Sequence, residues 1–150
     1  MDEDTGRAAR EVAAAHDLPI LTSVGEVVEL QRAVGGLYVR YSLGPQDDPA
    51  EGSVDKESGC RLPGVSTNPV TPEPWWDRPA EHWVARQLVQ YDHLSERPGI
   101  VGWLLAGTEV GRGPDCEPLL ADITPLAVIS PELQHAAEEL YRTAFDPGRH

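Results

Sequence analysis

Nothing in this 150-residue chain approaches the roughly 18 consecutive apolar residues that a membrane-spanning helix needs. Bases are scarce as well. Twelve Lys and Arg, of which only Lys56 is a lysine, stand against 25 Asp and Glu, for a net charge of −13. A surface that grips duplex nucleic acid or an anionic membrane requires a basic patch, so neither partner is expected. The two cysteines, Cys60 and Cys116, make no disulfide framework and no CxxC pair. The N-terminal MDEDTGRAAREVAAAH carries acids where a secretion signal carries bases. These features together predict an acidic cytoplasmic protein with free thiols.

Several sites of chemistry are missing too. The five histidines fall in neither HxH nor HExxH spacing, and the acidic stretch 44–59 lacks the ligand spacing of a calcium loop, so no metal is expected. There is no GxSxG elbow, no GxGxxG and no GxxxxGK[ST]. Cys116 lies between Asp115 and Glu117, two acids that disfavour a thiolate.

What the chain has in abundance is proline and tryptophan in one place. Leu62–Trp83, LPGVSTNPVTPEPWWDRPAEHW, holds five prolines and three of the four tryptophans. Proline removes a backbone donor and fixes φ, which excludes regular structure across most of the segment. Each indole can bury roughly 150–250 Å², enough to tie an irregular loop to a core. An ordered loop is predicted, with Trp75, Trp76 and Trp83 largely buried or lining a pocket, because three exposed indoles would leave an adhesive patch.

The remaining segments read in order. Residues 1–17 form an Ala-rich helical extension without a strong apolar stripe, and 18–146 a single globular domain. Leu18–Leu21 suits a brief strand. Ser23 with Glu26 is a capping box, and the helix it opens runs to Gly35-Gly36. LYVRYS, Leu37–Ser42, alternates, with Leu37, Val39 and Tyr41 on one face and Tyr38, Arg40 and Ser42 on the other. Arg40 either points to water or lines a polar cleft. The stretch 44–59 is a surface loop, and a short strand is expected near Leu62–Thr67. A helix starts at Asp77 or Arg78 with Pro79 in its first turn and a polar stripe of His82, Arg86 and Gln90. Ile100–Ala106 has buried-strand length, Gly107–Pro114 reads as a turn, and Glu117–Ile129 as strand material interrupted at Pro118 and Pro125. Ser130-Pro131-Glu132 caps a final amphipathic helix. Strands and helices are segregated, so the expected class is α+β: one domain, a mixed or split antiparallel sheet, and three to four helices.

Arg40 on one strand, Ser66-Thr67 ending a second and Glu117 opening a late one resemble the layout of small ADP-ribosyltransferases of the arginine–serine–glutamate type. The resemblance spans roughly residues 36–130. It departs at Asn68, where a second serine is usual, and at Asp115, where a Gln or Glu often selects the acceptor. It implies NAD as substrate, with Arg40 on the phosphates, Ser66 and Thr67 positioning the ribose or the glutamate, Tyr38, Tyr41 or a loop tryptophan such as Trp76 against nicotinamide, and Glu117 as the catalytic carboxylate. LYVRYS with its following Gly-Pro, PEPWW and VGRGPD–EPL also resemble an actinobacterial family known only as a domain of unknown function, over about residues 18–146. That family implies no activity. The alternative to an enzyme is a non-catalytic module that holds a small molecule or a protein partner on the Pro/Trp loop.

Overall fold

The computed structural model describes residues 3–45, 65–90, 99–113 and 117–145. A two-stranded antiparallel ribbon, β5 (Val101–Arg112) on β6 (Pro118–Ile129), is its spine. β2 (Tyr38–Ser42) pairs antiparallel with β5, and β1 (Ile20–Leu21) runs parallel to the far end of β6. The short strands β3 (Val65–Ser66) and β4 (Asn68–Pro69) belong to one five-residue segment, yet β3 pairs with β6 and β4 with β2. One segment therefore bridges the two strands that flank β5, and the mixed sheet is curled.

Four helices among the described residues cover this sheet: α1 (Glu3–His16), α2 (Val24–Val34), α3 (Ala80–Val89) and α4 (Pro131–Phe145). The class is α+β, as the segregated patterning implies. On one face, α2, α3 and α4 pack Val27, Val84, Leu88 and Leu133 against Leu37, Val39 and Leu104, all buried. On the other, Ala9, Val12 and Ala13 of α1 lie over Trp103, Leu105 and Val128. Alternation along β2 and β5 divides the two sets. Leu133→Ala would remove a fully buried side chain, at about 2–5 kcal/mol.

Local chemistry explains the helix ends. Ser23 accepts from the Glu26 amide, and the Glu26 carboxylate reaches back to the Ser23 amide at 3.1 Å. Bonds from the Thr22 amide and hydroxyl come first, and they hold the Glu26 carboxyl below its usual range. Gly35 closes α2 at φ +90°, a conformation that disfavours any side chain. Ser130 Oγ accepts from the Leu133 amide at 3.0 Å and caps α4.

Three expectations change. Gly107–Arg112 is not a turn but the outer half of β5. The ribbon carries register shifts at 104/105, 106/108 and 109/111, and such bulges let it absorb irregular sequence. At the second shift Asp122 takes φ 52°, and a Cβ on Gly107 would stand 3.0 Å from the Ala121 carbonyl oxygen. Glycine here marks a close backbone approach rather than a break. Nor do Pro118 and Pro125 interrupt β6, since Pro118 lies at its end and Pro125 beside a bulge, where a missing donor is tolerated. Third, α3 begins at Ala80 with Pro79 as its cap position, later than Asp77. The expected loop at 44–59 lies mostly outside the described residues.

Candidate functional site

β2 places its two tyrosines on opposite faces of the sheet, and each gathers a polar cluster. Tyr41 faces the helices. Its hydroxyl donates to Gln134 Oε1 at 2.6 Å and also lies 2.9 Å from the Leu88 carbonyl, to which Gln134 Nε2 donates at 3.0 Å. Beside it, Gln87 and Asn68 exchange a side-chain bond at 3.1 Å. Gln87 further donates to the Pro69 carbonyl at 2.8 Å, and Asn68 to the Gln87 carbonyl at 3.1 Å. These bonds lock α3 to the segment 65–70, and α4 to α3 and β2.

Tyr38 and Arg40 project the other way, level with Leu105 and Trp103. Arg40 Nη1 donates to the Ser66 carbonyl at 2.8 Å, so this side chain ties β2 to β3 at the curled end. The Thr67 amide and hydroxyl both donate to the Pro118 carbonyl at 3.0 Å. Ser66 is in register with Leu119, two residues beyond Glu117. Ser66 and Thr67 thus lie beside the start of β6, next to Glu117, and Arg40 reaches this segment from β2 through the Ser66 carbonyl, with Tyr38 on the same strand face as Arg40. The Glu117 carboxylate lies over the Gly113 Cα, in the space a side chain there would fill. Gly113 also donates its amide to the Glu117 carbonyl at 2.9 Å.

Two further ionised residues join this end, both from the stretch read as a turn. Glu109 and Arg112 pair at 2.8 Å. The Glu109 carboxylate is within reach of the Tyr38 hydroxyl. Burial, then the Glu109 charge, push the Tyr38 phenol above its ordinary range, with Arg112 acting against them. Tyr38, like any phenol, is neutral at ordinary pH, and here it stays so to higher pH. Sequence signalled these residues weakly, through a Glu and an Arg three apart in a run flanked by glycines.

Trp76 is not part of this cluster. It packs edge-on to Trp83 of α3 at 5.0 Å between ring centroids and approaches Phe145 of α4 at 6.4 Å, on the helical side. Its indole N–H donates to the Pro79 carbonyl at 3.1 Å. Trp83 is 3% exposed, but Trp75 is 68% exposed. The expectation of three sheltered indoles fails at Trp75. Consecutive residues cannot both face the core here, and Trp76, anchored to Pro79, takes the inward position. Of the polar stripe, Arg86 and Gln90 face solvent, whereas His82 is half-buried.

Among the described residues no group of three His, Cys, Asp or Glu could hold a metal ion, and no helix is long and apolar enough to cross a membrane. Neither a curated protein nor a solved structure matches the chain. The model of a family of unknown function (DUF6098) matches residues 14–149, which takes in every element except most of α1, and the chain belongs to that family.

Proposed function

We propose that the polar end of the curled sheet binds a nicotinamide dinucleotide and cleaves its glycosidic bond, by ADP-ribosyl transfer or by hydrolysis. One observation supports this reading: Arg40 bonds the Ser66 carbonyl and Thr67 bonds the carbonyl of Pro118, next to Glu117, so three backbone segments distant in sequence lie side by side. Arg40 supplies a planar donor fork suited to pyrophosphate. A carboxylate at Glu117 opposes the oxocarbenium charge that develops on the ribose as nicotinamide leaves. Tyr38, kept neutral, donates a hydrogen bond without adding repulsion to an anionic ligand.

Calorimetry with NAD, followed by assay of released nicotinamide, tests the assignment. Glu117→Gln keeps the shape and removes the charge, so turnover falls on the order of 10²–10³-fold while binding survives. Arg40→Ala weakens binding by about 1.5–3 kcal/mol, with melting temperature followed alongside because Arg40 also ties β2 to β3. Absence of NAD binding at millimolar concentration removes the proposal.

A further inference from the structure

Glu109 and Arg112 pair at 2.8 Å although they lie three residues apart on one strand, β5. In a regular strand such residues point to opposite faces and cannot meet. The register explains how they do. From Leu105 to Glu109 the alternation of β5 is kept, because the shift at 106/108 falls in β6, where the partners Thr124 and Ala121 are three residues apart. Glu109 therefore shares the face of Leu105 and Tyr38. The next shift lies in β5 itself. Glu109 and Gly111 stand opposite the consecutive Leu120 and Leu119, so Val110 is the extra residue. That bulge turns Arg112 onto the face of Glu109, Tyr38 and Arg40, and bulges beside binding sites commonly re-aim a side chain in this way.

Arg112 is thereby a second guanidinium on the face of Arg40. It stands in register with Pro118, beside Glu117, and the Pro118 carbonyl takes the Thr67 bonds. Arg40 reaches the neighbouring row, Ser66–Leu119–Gly111, at the Ser66 carbonyl. Adjacent strands lie about 4.8 Å apart, so that row is roughly 10 Å across, a span that the two sugars and pyrophosphate of a dinucleotide can bridge. Arg112 and Glu109 are 58% and 37% exposed, and an exposed pair of this kind is weak, equivalent to at most about a fivefold factor in a binding constant. A ligand phosphate offers the guanidinium two charge-assisted bonds and so displaces such a partner. The released carboxylate keeps the nearby Tyr38 hydroxyl as a donor.

We infer, building on the dinucleotide reading, that Arg112 is a second phosphate-binding residue of the site and that Glu109 is its built-in competitor, occupying the guanidinium until a ligand phosphate replaces it.

Calorimetry of the full chain with ADP-ribose, which carries the pyrophosphate but no nicotinamide to cleave, tests this. Arg112→Ala is expected to weaken binding by about tenfold or more, because charge-assisted bonds to the phosphate are lost. Glu109→Gln, at the opposite extreme, tightens binding by about two- to fivefold, because the competitor is gone. Higher salt narrows the gap between Glu109→Gln and the wild type. Both variants melt within about 2 °C of the wild type, since an exposed pair contributes little to folding. Unchanged affinity in Arg112→Ala would overturn the inference and leave the dinucleotide reading in place. Weaker binding in Glu109→Gln would overturn it as well, since the carboxylate would then be positioning Arg112 instead of competing for it. If the wild type binds neither ADP-ribose nor NAD at millimolar concentration, the dinucleotide reading itself falls and this inference falls with it.

Discussion

Tyr38 and Tyr41 lie three residues apart on one strand and have opposite fates. Tyr41 points into the helical face, where its hydroxyl, Gln134 and the Leu88 carbonyl satisfy one another, next to the reciprocal Asn68–Gln87 pair. Tyr38 points to the other face and meets ionised groups, Glu109 and through it Arg112, at a partly open edge. Amides closed into a ring of partners rigidify a fold and leave nothing for a ligand. Charged and hydroxyl groups at an edge contribute less to stability and retain capacity for a guest. The contrast separates framework from site.

The sharpest way to break the framework is Gln87→Ala. It strips the Pro69 carbonyl and the Asn68 side chain of a buried donor and leaves a void, for an expected loss of about 2–4 kcal/mol in chemical denaturation. Tyr41→Phe is smaller, about 1–2 kcal/mol, because Gln134 keeps its bond to Leu88. Tyr38→Phe is smaller still, within about 0.5 kcal/mol at neutral pH. Its signature is pH dependence. A phenol raised above its unfolded value stabilises fully below pH of about 10, and that stability is lost as pH rises through the folded pKa. The wild type should lose stability above about pH 10 in melting experiments, and Tyr38→Phe should flatten that decline. Equal pH profiles for the two proteins would mean that Tyr38 titrates as it does in water.

The ends of α2 were legible in the sequence because capping is local: Ser23, Glu26 and Gly35 state their roles within thirteen residues. The alternation of β2 likewise separated Tyr38 and Arg40 from Val39 and Tyr41. The Arg40–Ser66–Glu117 grouping came from resemblance rather than periodicity, and the structure brings its backbone elements together. What escaped was non-local. The outer half of β5 reads as a turn until β6 is set against it, since Gly107 and Gly111 serve bulges whose need arises only on pairing. Glu109 and Arg112 were lost with it. The place of Trp76 on the helical side, away from Tyr38 and Arg40, depends on Phe145, nearly seventy residues away.

The bridging segment also bears on the order in which the chain folds. β5 and β6 are near neighbours in sequence, so their ribbon closes with a short search. Val65–Leu120 and Asn68–Val39 are contacts between residues far apart along the chain, and neither edge can be sealed until both partner strands are in place. Loop-closure entropy is spent before those pairings return any enthalpy, which makes them late events. Because Arg40 meets Ser66 only through this segment, the candidate site is assembled by the same late step that closes the sheet. A chain caught before it would have its central ribbon built, its polar end still open and the Asn68–Gln87 bonds of the helical face unmade.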